Sequence, residues 1–360
     1  MASIHTASRR QFLRTSLFGG AAALAAGRLA STWAAESATA AASAPGQPAG
    51  SMASRVALVA GNDRANLAFR SLEPFKKEIA ASIGDKLVVL KPNNVVTNNP
   101  LAASAAENLE GILEFLKSIG KTNVILAEST ASGPAMEGFT NYGYDKVAAK
   151  YGVKMVDLDT EGFETLYCLD ETDMQPHPCR MSKVLLDPRH FVVSAAKFKT
   201  HDRVVATLSL KNVVVGAAIK EQGAGWGGRS DKGITHGGGC RGINYNLSSL
   251  AQRLHPHLAV IDGYEGLQGN GPVDGTPVDQ RVCVASLDWL AADRVAVELM
   301  GIDFAKVGYL NYCARVGNLG QADLAKIEII GPAIKDHVRP YQLPDNIEEQ
   351  LVWRKPIRRA

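Results

Sequence analysis

The residues best suited to chemistry lie in one stretch, 191–216, with the sequence FVVSAAKFKTHDRVVATLSLKNVVVG. An apolar run that predicts a strand is followed by Lys197, Lys199 and His201, after which apolar residues recur with helical spacing. Lysine ammonium groups attract anions, and histidine can also transfer a proton near neutral pH. The stretch therefore predicts an anion-receiving site with capacity for acid–base chemistry.

A helix predicted to begin just after the basic tract would strengthen this site. Asp202 has the side chain of an N-cap, so the first turn would direct free backbone N–H groups and the positive end of the helix dipole at the anion. Thr207 and Lys211 would then share one face at spacing i, i+4. Lys211, in these apolar surroundings, would either hold a ligand or form an ion pair with Glu128 or Asp262.

Polar side chains also follow three other apolar runs, at 86–90, 123–127 and 258–261, each of which predicts a buried strand. In an open α/β sheet, ligands bind outside the carboxyl ends of the strands. We therefore expect one shared cleft. The polar residues that follow these runs are Lys91, Asn93, Asn94, Glu128, Ser129 and Asp262.

The order of the predicted elements indicates an α/β fold with a mostly parallel sheet and helices on both faces, similar to a Rossmann fold. This domain covers residues 55–331, and a polar, proline-rich stretch around 163–187 predicts a small antiparallel or irregular insert. The tail at 332–360 should wrap the surface. The helices that carry the pattern are predicted at 64–83, 102–119, 144–151, 243–254 and 288–300.

Residues 1–40 have the pattern of a twin-arginine signal peptide, with SRRQFLR at 8–14 before a short uncharged run. A flexible linker at 41–54 follows. We expect export to the periplasm by the twin-arginine machinery, and no stable membrane insertion, because no apolar run reaches the length of a bilayer span. Without the four arginines and one glutamate of 1–40, the 39 basic and 36 acidic residues become 35 of each. A neutral mature chain does not indicate nucleic-acid binding.

A glycine-rich stretch at 220–242 contains GAGWGG, which formally matches G-x-G-x-x-G. It does not follow a strand, and the residues after it cannot open a helix, so it is not a dinucleotide-binding motif. The stretch is either a lid carrying Lys232, His236 and Cys240 or a disordered insert.

The five cysteines are scattered without a C-x-x-C pair, so we expect no iron–sulfur cluster and no structural zinc. Cys168 and Cys179 either pair across a turn-rich connection or remain free, buried thiols. The sequence identifies no cofactor.

The order of the motifs resembles the domain of unknown function 362, over about residues 55–331. Many relatives carry an added iron–sulfur module, and this chain lacks its cysteines. Gln268 stands where the family pattern often has glutamate, although Glu265 is close by. The motifs that carry the resemblance are KPN at 91–93, ES at 128–129, KFKTH at 197–201, Thr207 with Lys211, Asn212 and Gly216, and Asp262 followed by GNGPVDGTP at 269–277.

We therefore expect a small anionic or cofactor-like ligand in a cleft lined by lysine and histidine, handled by an enzyme or by a non-catalytic periplasmic binding or assembly protein. A metal-dependent hydrolase is the third reading, and it requires His201, Asp262 and a glutamate to converge. The catalytic candidates are His201, Lys199, Glu128 and Asp262. The ligand-binding candidates are Lys91, Asn93, Asn94, Lys197, Thr207, Lys211, Asn212 and Asn270, and no metal ligand is assigned.

Overall fold

The computed structural model of the chain describes residues 54–221, 229–316 and 319–356. Eleven strands lie in a nine-stranded mixed sheet and a separate two-stranded sheet. The strands are β1 (Ser54–Ala60), β2 (Leu87–Pro92), β3 (Val124–Glu128), β4 (Lys154–Asp157), β5 (Phe163–Asp170), β6 (Gln175–Ser182), β7 (His190–His201), β8 (Val205–Thr207), β9 (Leu258–Gln268), β10 (Thr276–Ser286) and β11 (Ile327–Ile330). The α-helices are α1 (Arg64–Leu72), α2 (Lys76–Ile83), α3 (Ala106–Ser118), α4 (Ala135–Asn141), α5 (Tyr144–Tyr151), α6 (Lys183–Leu186), α7 (Ser209–Ala217), α8 (Lys232–Thr235), α9 (Cys240–Leu250), α10 (Trp289–Leu299), α11 (Gly308–Val316) and α12 (Ile347–Gln350).

The large sheet has the order β11-β1-β10-β9-β7-β2-β3-β4, with β8 paired to the end of β7. Neighbours are parallel from β9 through β7, β2 and β3 to β4, and β11 is parallel to β1. Within the described residues, the antiparallel pairs of this sheet are β1–β10, β10–β9 and β7–β8. The predicted α/β fold with a mostly parallel sheet is confirmed, and the predicted insert is the β5–β6 hairpin.

Strand β7 separates two apolar cores, because its alternate side chains point to opposite faces of the sheet. Val192, Ala196 and Phe198 pack in the core that also contains α7, α9 and α10. Phe191 and Ala195 pack in the core that contains α1, α3 and α5. We refer to these two sides as the α7 face and the α1 face. Helices on both faces explain why the central strands are apolar throughout.

The helix predicted to follow Asp202 is wrong. Strand β7 continues through the basic tract to its end, and Val205–Thr207 folds back on it as β8. Helix α7 begins only at Ser209, where the carboxylate of Asp293 accepts hydrogen bonds from the backbone N–H groups of Ser209 (2.8 Å) and Leu210 (3.2 Å). Thr207 and Lys211 therefore do not share a helical face, and the free N–H groups at the start of α7 bind Asp293 and not an anion at the tract.

Strand β9 is also longer than predicted, since it continues past residue 261 to Gln268 instead of opening a loop at Asp262. The partner strand β10, paired along its length, satisfies the backbone groups of this extension. The predicted helix at 64–83 is divided into α1 and α2 by a 3₁₀ turn that contains Pro74. Within the described ranges, no helix combines the length and apolar character that a bilayer crossing requires.

The C-terminal segment contributes to the core as well as covering the surface. Trp353 and Tyr341 are buried, and Gln350 is fully buried. The side-chain oxygen of Gln350 accepts a hydrogen bond (2.7 Å) from the backbone N–H of Val205, whose φ of +69° is rare for a β-branched residue. The C-terminal segment therefore stabilises the turn between β7 and β8. In the β5–β6 hairpin, Cys168 and Cys179 are free, buried thiols.

Candidate functional site

Side chains from β2, β3, α7 and α8 enclose a small polar cavity on the α7 face, which we call the inner cavity. Its volume is about 50 Å³. β2 and β3 are parallel neighbours, so the residues that follow them reach the same edge of the sheet. The lining residues are Lys91, Asn93, Asn94, Val95, Glu128, Ser129, Ala131, Lys211, Asn212, Val215, Gly216 and Lys232.

At one end of the cavity, the paired end, Lys91 and Glu128 form a buried salt bridge of 2.7 Å. Lys91 Nζ also donates to Asn212 Oδ1 (3.0 Å). The Glu128 carboxylate accepts from the backbone N–H groups of Asn94 and Ser129, both at 2.8 Å. Burial raises the pKa of Glu128 and lowers that of Lys91, and each shift is opposed by the partner's charge. Three donors on one carboxylate favour its ionised form, so the two charges of the pair are satisfied without a ligand.

The final glycine of the 207–216 motif makes this pair possible. The Lys91 side chain crosses α7 at Gly216, where an added Cβ would lie 2.2 Å from Lys91 Cε and 2.4 Å from Nζ. Any larger residue would push the ammonium away from Glu128. The motif thus requires glycine for a close approach and not for a turn.

At the other end, the cationic end, Lys211 and Lys232 bring two further ammonium groups. Lys232 Nζ donates to Ser129 Oγ (2.9 Å) and to the carbonyl of Ala218 (2.5 Å). Lys211 is 6% exposed, and no residue of the described ranges accepts a hydrogen bond from its Nζ. Burial lowers the pKa of Lys211 to about 7, which Asp202 opposes and Lys232 reinforces. Burial likewise lowers the pKa of Lys232 to about 8.

Three more basic side chains lie behind the cationic end. Lys199 is fully buried and donates to the carbonyl of Ala102 (2.6 Å). The rings of His201 and His236 stack with centroids 6.3 Å apart. Burial, then the charge of Lys211, lowers the pKa of His201 well below its usual value, and the same two causes lower that of His236 to about 4. Both imidazoles are therefore neutral at pH 7, and His201 Nδ1 accepts from the Arg203 N–H (3.0 Å).

Several buried polar atoms beside the cavity lack hydrogen-bond partners within the described residues. They include Asn93 Oδ1 and both amide atoms of Asn94, which line the cavity, and Thr207 Oγ1, which lies outside the lining. Thr207 lies opposite Lys199 across the β7–β8 pair. Buried polar atoms are nearly always hydrogen-bonded in folded proteins, so such a group of exceptions marks a place where another molecule can bind.

Six predicted site residues do not line the inner cavity. Lys199, His201 and Thr207 lie near its cationic end, and the other three lie farther away. Lys197 and Asp262 are paired across β7 and β9, and both lie beside Arg64 of α1, on the α1 face. Asp262 lies 3.5 Å from Arg64 Nε. Asn270 lies at the surface, where its amide donates to Asp345 Oδ2 (2.8 Å) and holds the C-terminal segment. The expected shared cleft is therefore divided by the sheet.

The structure also does not support two expectations, one about an ion pair and one about a metal site. Lys211 does not pair with Glu128 or Asp262, since Glu128 is bound by Lys91 and Asp262 is on the other face. His201, Asp262 and Glu128 do not converge as a hydrolytic metal site requires. Across 54–221, 229–316 and 319–356, no three His, Cys, Asp or Glu side chains are grouped as metal ligands.

The sequence predicts that Lys232 lies on a lid or in a disordered insert, whereas it is 6% exposed and lines the cavity. The surrounding glycines gave no sign of burial. Part of the proposed lid, 222–228, lies outside the described residues. A second pair, Lys220 with Asp159, was not anticipated, and it fixes the chain just before this segment.

The family whose model matches the sequence is described as "Domain of unknown function (DUF362)", and the match covers residues 88–298. A thylakoid-associated protein of Synechocystis is 25% identical over 236 residues, which are 65% of this chain and 68% of that protein. A crystal structure of a protein from Thermotoga maritima aligns with a TM-score of 0.39 and 13% identity. That alignment covers 67% of this chain and 60% of the other.

Proposed function

This chain belongs to the family of domain of unknown function 362, and from its site we propose that it binds a small ligand through a carboxylate, phosphate or sulfate group at the cationic end of the inner cavity. One observation carries the proposal: Lys211 is buried without an acceptor in the described residues, next to Lys232 and Lys199. Burying an ammonium group without an acceptor costs the free energy of its desolvation, which nothing in the described residues offsets. An anion would remove that cost.

The neighbouring groups suit an oxyanion. Lys211 and Lys232 supply charge-assisted donors, and the amides of Asn93 and Asn94 can orient a second part of the ligand. The only carboxylate among the lining residues is that of Glu128, and Lys91 neutralises it. The cavity lining therefore holds no unpaired anion, and the charge of Asp202 acts on Lys211 only from outside that lining. A volume of about 50 Å³ suits the head group of a ligand and not a large molecule.

Binding is favoured over acid–base catalysis as the primary role. His201 Nδ1 accepts from the N–H of Arg203 and lies 3.2 Å from the carboxylate of Asp202, and in the described residues neither of the predicted acid–base partners, Glu128 and Asp262, bonds it. Lys199 is held by a backbone carbonyl. Catalytic roles for His201, Lys199, Glu128 and Asp262 thus remain hypotheses that require a substrate to test.

Titration calorimetry with sulfate, inorganic phosphate, acetate and oxalate tests this proposal. We expect millimolar or tighter binding of at least one anion and a loss of tenfold or more in Lys211→Met, which corresponds to about 1.4 kcal/mol. Lys326→Met is the matched control, because the Lys326 side chain is 69% exposed. Equal binding by wild type and Lys211→Met, or no binding of any anion up to about 10 mM, would refute the assignment.

We also propose that the protein is exported to the periplasm by the twin-arginine machinery. The support is the SRRQFLR sequence at 8–14, which lies outside the described residues. In cell fractionation of the native host, Arg9→Lys/Arg10→Lys should retain the protein in the cytoplasm, whereas Arg14→Lys should not. Unchanged periplasmic delivery of the double variant would contradict this route.

A further inference from the structure

A second pocket lies on the α1 face, separated from the inner cavity by the sheet, and we call it the outer groove. Its volume is about 490 Å³, within the usual range of small-molecule sites. Pro100, Leu101, Tyr142 and Pro277 form an apolar wall. The charged residues of the groove are Arg64, Glu107, Lys197 and Glu265.

Lys197 is the feature that indicates a ligand. Its side chain is 1% exposed, and no residue of the described ranges accepts a hydrogen bond from Nζ. The nearest carboxylate oxygen, Glu265 Oε2, is 4.0 Å away, beyond hydrogen-bond distance. Burial lowers the pKa of Lys197, and the charge of Asp262 opposes that shift. A lysine that is buried at the base of a groove without an acceptor can bind an anionic group of a ligand.

The other charges of the groove define the ligand. The charge of Arg64 is offset by Asp262, whose Oδ2 lies 3.5 Å from Nε without forming a hydrogen bond, and its guanidinium lies 4.6 Å from the centre of the Tyr264 ring. Lys197 is therefore the cation left for a ligand anion. Glu265 is 47% exposed beside it and has no closer cation than Lys197 in the described residues, so it can accept from a ligand cation.

We propose that the outer groove is a second binding site, for an apolar α-amino acid or a similar small zwitterion. The ligand carboxylate binds Lys197, its ammonium group binds Glu265, and its side chain packs against Leu101, Tyr142 and the two prolines. A simple anion would leave Glu265 repelled, and a simple cation would leave Lys197 buried without an acceptor. Only a ligand that carries both charges satisfies both residues. This site does not depend on the function proposed for the inner cavity.

The experiment uses the full chain and three probes: leucine, 4-methylpentanoate (leucine without its ammonium group) and 3-methylbutylamine (leucine without its carboxylate). Calorimetry should detect leucine binding and at least tenfold weaker binding of both truncated compounds. Lys197→Met should weaken leucine binding tenfold or more, and so should Glu265→Gln. Glu161→Gln is the matched control, because Glu161 is exposed and lies outside the groove lining, and it should change leucine binding little.

Two further measurements keep the outcomes distinct. Glu265 is half-exposed, so Glu265→Gln tests the proposal even if Lys197→Met does not fold. Lys211→Met, which alters the inner cavity, should leave leucine binding unchanged. The proposal is overturned if leucine does not bind, if 4-methylpentanoate binds as well as leucine, or if both Lys197→Met and Glu265→Gln bind leucine as wild type does.

Discussion

The two ends of the inner cavity contain similar residues in opposite circumstances. At the paired end, Lys91 has a carboxylate at 2.7 Å and an amide at 3.0 Å. At the cationic end, Lys211 is also buried, at 6% exposed, but has neither among the described residues. Both side chains come from apolar elements that would ordinarily exclude them. The contrast indicates that the first lysine serves the fold and the second serves a ligand.

This distinction predicts opposite effects of the same substitution. A buried pair is stabilising only while both partners are present, whereas an unpaired buried charge lowers stability until something binds it. Removing the charge from Lys91 should therefore harm the fold, and removing it from Lys211 should not. If the two lysines respond alike in the experiments below, the distinction between them is wrong.

The largest effect is expected for Lys91→Met. Glu128 would remain buried without its cation, which should cost about 3–5 kcal/mol of the free energy of unfolding. Replacing both partners, in Lys91→Met/Glu128→Met, should recover most of this loss. Urea denaturation of the three proteins measures it. A double variant that is no more stable than the single one would show that the pair is not the unit proposed here.

Gly216→Ala should have the next largest effect, because the new Cβ would displace Lys91 from Glu128. The expected loss is about 1–3 kcal/mol in the free energy of unfolding, as for other overpacked interiors. Gly233→Ala is the control, since a Cβ at Gly233 has no heavy atom within 4 Å. Equal stability of the two variants in thermal denaturation would mean that α7 moves away from Lys91 at little cost.

Anion affinity should depend on pH through Lys211. Its pKa is about 7 in the folded protein, so the ammonium form that binds an anion is lost as the pH rises above 7. Loss of the Lys211 proton alone should raise the Kd for sulfate, which does not itself titrate in this range, by up to tenfold per pH unit between pH 7.5 and 9. Lys232, with a pKa of about 8, titrates in the same window.

Lys211→Arg separates the two lysines, because arginine stays charged throughout this range. The slope of log Kd against pH should fall by about one proton in this variant. An unchanged slope would assign the titration to Lys232 and weaken the comparison between the two ends.

The smallest effect is expected for Lys211→Met in the absence of ligand. Because the pKa of Lys211 lies below 10.5, the unfolded chain binds more protons between pH 7 and 10.5, and the lysine lowers stability most at pH 7 and below. Methionine should therefore raise the free energy of unfolding by about 1 kcal/mol at pH 6 and by less at pH 10. Destabilisation at pH 6 would show that Lys211 has a structural partner.

The sequence predicted the parts of the site that depend on local pattern. Lys91 and Glu128 follow continuous apolar runs, and the ends of parallel strands meet at one edge, so their proximity could be inferred. Asn212 and Lys211 were identified through the motif that ends at Gly216. The α/β fold followed from the alternation of strands and helices.

The remainder depended on contacts between segments that are distant in sequence. No feature of the neighbouring sequence shows that Asp293 caps α7. The sequence therefore predicts a helix that starts at Asp202, before the observed start of α7. The extension of β9 past Asp262 required β10 as a partner. The sequence predicts that Lys197 and Asp262 follow their strands, where a side chain has no defined face. Both residues lie within strands, which fixes the face of the sheet that each side chain occupies.

One measurement tests the central claim most directly: anomalous diffraction from crystals of the protein soaked in selenate, a heavier analogue of sulfate. The account predicts a selenium peak in the inner cavity within hydrogen-bond distance of Lys211 and Lys232, and no such peak in crystals of Lys211→Met. Selenate found only at surface lysines, with the inner cavity empty in the wild-type protein, would contradict it.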